Sequence, residues 1–395
     1  MQVGRLLVVV AFVLVTAATA FADLTSSVRS AAGRDGVVYV VDAADRALVD
    51  IRGDQPFIPA SILKVFTAQL AITKLGLDYR FPTEFYIDGD RLVVKGAGDP
   101  LLVSEELDLI AATLRPRLAG HAFAGIVVDD SYFQPQVRVP GVGRSSNPYD
   151  ALNAATAVNF NTIAVVRRGD RIQSGEAQTP LTAFARDLAR ARGVKGHERF
   201  QIGDRPEDVR RYAGELIAAK LRGAGVRIGE EVTEGRAPAA PPLYVHHSSR
   251  NLADVCSEML ESSNNYIANQ VFLAVGVAAN GAPAGLAKSV AAADQFVLTH
   301  PQLAGLHVVE GSGIAYENRM TGRSMAALLK MFEPHERLLK FARGTRHKTG
   351  TLRVIATLAG YLDTKKHGRV RYVIALNGRG QAKRWQIMET LKRGL

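Results

Sequence analysis

Cysteine occurs once in this 395-residue chain, as Cys256, which excludes an intramolecular disulfide and any thiolate-rich zinc or iron–sulfur site built by one chain. Aromatic residues are sparse at 7%, and no basic run is interleaved with them, so the stacking surface of a single-strand nucleic-acid binder is missing. Beyond the first two dozen residues no stretch is apolar enough to span a bilayer. Internal repeats and low-complexity blocks are absent too, which excludes solenoids and fibrous arrays. What is present is a globular balance, 47% hydrophobic and 22% charged, in a chain long enough for two or three domains.

The N-terminus reads as an export signal. Arg5 supplies a positive start, Leu6 to Val15 is apolar without interruption, and Ala20-Phe21-Ala22 offers small residues before Asp23. That pattern predicts a signal peptide over residues 1–22, because the apolar run is too short to anchor a helix across a membrane. The expected product is exported, periplasmic or associated with the cell envelope. The net charge of +11 suits an anionic envelope polymer or acidic headgroups better than nucleic acid, which an exported protein rarely meets. A merely basic surface without a dedicated partner accounts for the charge equally well.

Residues 36–52 read as a hairpin about Asp42-Ala43-Ala44-Asp45, and Ser61 opens a helix that Gly76 closes. Between about Phe85 and Tyr244 short strands, many Gly and Pro and a single helical piece, PEDVRRYAGELIAAKLRG, suggest a separate β-rich unit. A Pro/Ala-rich linker at 237–242 ends it. Helical periodicity follows at Asn251 to Glu261, Tyr266 to Val277 and Ser289 to Leu298. The chain closes with three strands (TLRVIATL, AGYLDT, RVRYVIALNG) and a helix from Ala382 to Leu391. Cys256 shares an apolar face with Leu252 and Met259 and reads as a core thiol.

Three short motifs carry the chemistry: Ser61-Ile62-Leu63-Lys64, Ser263-Asn264-Asn265 and Lys348-Thr349-Gly350. Ser-x-x-Lys is expected about once by chance in such a chain, but Lys64 is the one lysine with serine three residues earlier, and the pair opens a helix. Residues i and i+3 share a helix face, so the amine can reach the hydroxyl. A lysine whose pKa is depressed by burial or by a second cation, such as Lys348, can deprotonate serine. Free N–H groups of the first turn can hold an oxyanion. The competing reading of Ser61 is an ordinary N-cap. Ser-x-Asn is weaker, since Ser145/Asn147 and Ser249/Asn251 also match. Lys-Thr-Gly-Thr before a strand suits a carboxylate-terminated peptide laid alongside it, or else a plain surface turn. His246-His247 reads as a surface pair, Asp129-Asp130 as strand neighbours facing apart, and Gly96-Ala97-Gly98 lacks the helix of a dinucleotide loop.

Together the motifs form the signature set of penicillin-binding proteins and class A β-lactamases. From about Gly36 onward the chain resembles the D-alanyl-D-alanine carboxypeptidases/endopeptidases of the low-molecular-mass class C penicillin-binding proteins. The segments KGAGDPLL (95–102), VDDSYF (128–133), AVNFNTIAV (157–165) and EGSGIA (310–315) carry that resemblance with the motifs. The insertion is shorter than is usual there, and Asn264 stands where aspartate is common.

The resemblance implies an α/β (α+β) fold, a β-lactamase/transpeptidase-like antiparallel sheet flanked by helices. Residues 23–84 and 245–395 would form the catalytic domain and 85–244 a β-rich inserted domain. It implies Ser61 as acylated nucleophile, Lys64 as its base and Ser263 as the proton relay to the leaving D-alanine. Asn265 would bind the substrate amide, Lys348 and Thr349 the terminal carboxylate, with Gly350 beside them. The N–H groups of Ser61 and Thr351 would form the oxyanion hole. Peptidoglycan stem peptides are the implied substrates and β-lactams the implied inhibitors, without metal or organic cofactor. A serine β-lactamase on the same scaffold, and a non-catalytic wall-binding protein, are the alternatives. Oligomeric state is not implied.

Overall fold

The hairpin forms as the composition requires. Val37–Val41 and Ala47–Ile51 pair antiparallel, and the Asp42 carboxylate accepts the N–H groups of Ala44 and Arg46, each at 2.9 Å, which closes the turn. The computed structural model of the protein describes residues 23–378 and 382–395; the expected leader at 1–22 lies outside the described residues. Among the described residues no helix is long and apolar enough to cross a membrane.

The chain divides into two compact units. One contains the residues up to Phe66, Phe296–Val308 and Tyr316–Leu395; the other contains Thr67–Gln295 and Val309–Ala315.

In the first unit the hairpin is one side of a six-stranded antiparallel sheet, in the order Lys340–Ala342, Thr345–Leu352, Ile355–Thr364, Gly368–Asn377, Val37–Val41, Ala47–Ile51. Its central strands are buried on both faces, so they read as continuous apolar runs rather than as alternation. One face packs Val38, Val40, Tyr372 and Ile374 against Leu24 and Val28 of the helix at residues 23–32 and against Ile387, Met388 and Leu391 of the Lys383–Gly394 helix. Each such fully buried side chain contributes about 1.5–3 kcal/mol. On the other face Arg371 and Tyr361 donate to the carbonyls of Ala326 and Leu329 in the Gly322–Phe332 helix.

The closing strands differ from the sequence reading. Lys348-Thr349-Gly350 does not precede a strand but lies inside Thr345–Leu352, and Leu352 pairs with Ile355 across a two-residue turn at Arg353-Val354. TLRVIATL is therefore the hairpin itself, and ATL continues into AGYLDT as one strand, Ile355–Thr364. The turn was hidden because it carries neither glycine nor asparagine, the residues that ordinarily mark two-residue loops.

The second unit holds a five-stranded sheet in the order Tyr244–His247, Pro82–Asp88, Arg91–Gly96, Ala122–Asp129, Arg227–Glu234. Its last two pairings are parallel, and parallel neighbours need crossover connections. Helices Ser104–Arg117 and Pro206–Gly223 supply that geometry, burying Leu107, Ile110, Leu114, Leu216 and Ile217 against Val94, Ile126 and Val128. Only the second of these was expected; Ser104–Arg117 and the short Ala183–Ala191 helix add to it. A three-stranded sheet, Arg171–Ser174, Thr162–Arg168 and Gly196–Gln201, completes the β structure. The helices Leu252–Ser262 and Asn265–Asn280 belong to this unit, where Leu273 packs with Phe133 and Ala155, and Tyr266 with Ala157 and Val209.

Candidate active site

Ser61 lies within a 3-10 turn, Ala60–Leu63, from which Lys64–Leu75 continues as an α-helix. Pro59 occupies the N-cap position and no side chain caps the turn, so Ser61 is not spent as a cap. Ala60 before it is left-handed, φ 49°, a strained conformation for a residue with a Cβ. Lys64 Nζ donates to Ser61 Oγ at 2.9 Å. The lysine is fully buried among Ile62, Leu63, Val65 and Phe66. Burial disfavours the charged ammonium, and a neutral amine at that distance could take the serine proton.

The Lys348-Thr349-Gly350 strand packs on this turn. A Cβ at Gly350 would stand 2.2 Å from Thr357 Oγ1, 2.8 Å from Ser61 N and 2.9 Å from Pro59 O, so any other residue would push the serine turn away. Thr357 Oγ1 donates to Pro59 O at 2.8 Å and ties the turn to the sheet. The short strand Lys340–Ala342 pairs no further than His347, which leaves Lys348 to Leu352 paired on one edge only by strands. Such an edge can accept an extended peptide. Thr349 is half-buried and Thr351 exposed.

Lys348 is 3% exposed, and its Nζ donates to Thr349 O at 3.1 Å. Burial, helped by repulsion from Arg384 and Lys340, pushes its pKa down to about 8. Arg384 is a residue the sequence did not single out. From the closing helix it donates to Gly350 O at 2.8 Å, Thr351 Oγ1 at 3.1 Å and Thr357 O at 3.2 Å, holding the third motif from behind. Nothing in its local sequence distinguishes it from a surface arginine.

Ser263, Asn264 and Asn265 belong to the second unit, at the junction of two helices. Ser263 ends Leu252–Ser262 in a left-handed conformation, φ 58°. Asn264 is the N-cap of Asn265–Asn280, accepting the Ile267 N–H at 3.1 Å. An aspartate side chain could accept the same hydrogen bond. Asn265 opens the helix. A cavity of about 730 Å³ lies beside this junction in the same unit, with Tyr149, Phe160 and the Arg199–Glu176 ion pair in its wall.

The sequence profile of the D-Ala-D-Ala carboxypeptidase 3 (S13) family matches residues 17–195 and 193–344. This chain belongs to that family. It is 25% identical over 347 residues to a D-alanyl-D-alanine carboxypeptidase of Actinomadura sp. (strain R39), covering 74% of this chain but only 63% of that protein. It is 21% identical over 398 residues to the D-alanyl-D-alanine carboxypeptidase DacB of Haemophilus influenzae, covering 85% and 83% of the two. The crystal structure of penicillin binding protein 4 (dacB) from Haemophilus influenzae superposes with a TM-score of 0.75 at 21% identity, over 94% of this chain and 99% of that one. A further structure of that protein, complexed with a β-lactam, matches with a TM-score of 0.70 at 20% identity over 93% and 99% of the chains. The fold is thus the mixed α/β, transpeptidase-like one that the motifs implied.

The remaining sequence candidates fall into place as structure. Ser145 donates to Asp150, and Asn251 caps its helix in a capping box with Asp254, so the competing Ser-x-Asn matches are consumed locally. Asp129 accepts the Ser131 and Ala237 N–H groups while Asp130 pairs with Arg210. Gly96 and Gly98 are required by close approach, to Ala155 O and the Phe133 ring respectively. Cys256 is fully buried, and burial pushes its thiol up to about 12, which makes it inert.

His246 corrects the expectation of a surface pair. It is 6% exposed and its Nε2 lies 2.6 Å from Glu106 Oε1, whereas His247 is exposed. Glu106 is 140 residues away in sequence, so no local spacing could reveal it. Among the described residues no group of three or more His, Cys, Asp or Glu could hold a metal ion.

Proposed function

We propose that this chain is an exported serine D,D-peptidase. It would hydrolyse peptidoglycan stem peptides, releasing a terminal D-alanine or cutting a D,D-cross-link, through an acyl-enzyme on Ser61. The observation that carries this reading is the buried Lys64 amine at 2.9 Å from Ser61 Oγ, on a turn packed against the Lys348-Thr349-Gly350 strand.

The neutral Lys64 amine takes the Ser61 proton as Oγ attacks the carbonyl of the penultimate D-alanine. The N–H groups of Ser61 and Thr351 are assigned to the resulting oxyanion. The C–N bond then breaks, and the leaving D-alanine amine takes a proton, a step assigned to Ser263 by the family resemblance. Water adds to the ester carbonyl, the Ser61 Oγ–C bond breaks, and the serine regains its proton. Lys348 and Thr349 are assigned to the terminal carboxylate and Asn265 to the substrate amide. The catalytic portion is assigned to residues 23–84 and 245–395 and the insertion to 85–244.

Family membership and the similarity to D-alanyl-D-alanine carboxypeptidases support this assignment, and the β-lactam complex of the Haemophilus protein supports β-lactams as inhibitors. The apolar segment after Arg5 supports export, and the +11 charge supports peripheral attraction to an anionic envelope.

The test is mass spectrometry of muropeptides incubated with the protein lacking residues 1–22. Loss of one alanine from pentapeptides, or conversion of cross-linked dimers to monomers, is expected; unchanged muropeptides contradict the proposal. Rapid repeated turnover of nitrocefin, in place of one slow burst, would favour the β-lactamase alternative.

A further inference from the structure

Arg384 is a buried cation without a counter-ion. It is 9% exposed, and its buried Nε has no hydrogen-bond partner among the described residues. Burial lowers its pKa with no carboxylate to offset the effect, while an arginine keeps its charge at neutral pH all the same. The titratable neighbours that feel it, His347 and Lys348, feel it as a repelling charge. A fold seldom keeps a buried charge uncompensated unless its donors or its field are used.

What the guanidinium grips is one end of a peptide group. Nη1 donates to Gly350 O at 2.8 Å, with Thr351 Oγ1 at 3.1 Å and Thr357 O at 3.2 Å. The Gly350 C=O and the Thr351 N–H are the two ends of a single planar trans unit, in which they point in opposite directions. With Arg384 at the carbonyl end, the Thr351 N–H is directed away from it. A donor on the carbonyl draws electron density from the amide nitrogen, which makes the N–H at the far end a stronger donor. Gly350 is also the residue that packs on the nucleophile turn, since a Cβ there would stand 2.8 Å from Ser61 N.

We propose that Arg384 is a positioning residue for the oxyanion hole. It orients and polarises the Gly350–Thr351 peptide so that the Thr351 N–H meets the charge that grows on the substrate carbonyl oxygen. This inference rests on the peptidase reading, in which the N–H groups of Ser61 and Thr351 hold that oxygen.

When Ser61 Oγ adds to the carbonyl carbon, the π pair of the C=O bond moves onto the oxygen. Full negative charge is present only after that addition, so a donor strengthened from behind favours the transition state over the bound substrate. Arg384 touches no substrate atom in this role; its effect passes through one amide. The strand does not need the arginine merely to stay in place. It is paired with Ile355–Thr364 from Arg346 to Leu352, and Thr357 Oγ1 ties the neighbouring strand to Pro59 O.

The test compares folded wild type with R384M, which is neutral and has no donor. Stopped-flow labelling with fluorescent penicillin separates the affinity of the first complex from the rate constant of acylation. Acylation should fall about 10–100-fold, less than the roughly 10²–10³-fold lost when a hole donor is removed outright, while the affinity changes by less than about threefold. Infrared difference spectra of the acyl-enzyme, formed from benzylpenicillin isotope-labelled at the lactam carbonyl, read the hole itself. The ester C=O band should lie at higher wavenumber in R384M, because a weaker donor polarises it less. If R384M does not fold, R384Q, also neutral, carries the same two readings with the same expected directions. An unmoved band, or a loss confined to affinity or Tm, makes Arg384 a structural brace and overturns the proposal while the peptidase reading stands. Absence of acylation in the folded wild type overturns the peptidase reading and this inference with it.

Discussion

Ser61 and Ser263 each stand where a turn passes into an α-helix, yet the two units hold them differently. Ser61 is fixed by backbone packed on a sheet: Gly350 leaves no room for a Cβ, and Thr357 ties Pro59 down. Ser263 is itself a left-handed residue between two helices, with Asn264 capping the next helix. A nucleophile needs its base at hydrogen-bond distance at all times, and sheet packing is the stiffer support.

The largest break in this comparison comes from the first unit. Replacing Ser61 with alanine should abolish acylation by penicillin, a fall of about 10⁴-fold or more, with Tm little changed, as stopped-flow labelling and calorimetry would show. Ser263→Ala should lower turnover by about 10²–10⁴-fold while Ser61 still labels slowly, because the residue assigned to the relay, and not the one assigned as nucleophile, is gone. Equal and complete loss in both variants would erase the distinction between the two regions.

Lys348 sharpens the comparison through pH. Its pKa is lowered to about 8 by burial and by Arg384 and Lys340, so the cation assigned to the substrate carboxylate is lost as pH rises through that value. KM for a carboxylate-terminated peptide should therefore climb above pH 8, and K348M should raise it about 10–100-fold at pH 7 and remove that climb. A KM flat from pH 7 to 9.5 in the wild type would contradict the assignment.

Gly350→Ala should destabilise the first unit by about 1–3 kcal/mol, because the added carbon would overlap Thr357 Oγ1 and crowd Ser61 N. Denaturant unfolding measures it; no loss would mean the serine turn is less tightly held than its contacts imply. Smallest of all, N264D should change stability by no more than about 0.5 kcal/mol, since aspartate caps the helix equally well. A large loss would give Asn264 a role beyond capping.

How far the sequence could be read follows the same division. The hairpin at Asp42, the helix after Ser61 and the closing helix were legible because each is written in local periodicity and turn residues. The position of Lys348-Thr349-Gly350 within a strand was not, since Arg353-Val354 turns the chain without glycine or asparagine. The Ser104–Arg117 helix escaped notice until parallel pairing of Arg91–Gly96 with Ala122–Asp129 demanded a crossover. Motif residues of the candidate site were legible as a set, and Lys64 alone could be argued from spacing. Arg384 and the Glu106–His246 pair were invisible, because their partners are distant in sequence and their own neighbours carry no signal.

The central claim is that a buried lysine amine makes Ser61 a nucleophile. Peptide mapping by mass spectrometry after reaction of the folded protein with benzylpenicillin tests it most directly. The account predicts one covalent penicilloyl adduct, on Ser61, that is absent from K64M at the same exposure. An adduct on another residue, no adduct at all, or undiminished labelling of K64M would contradict it.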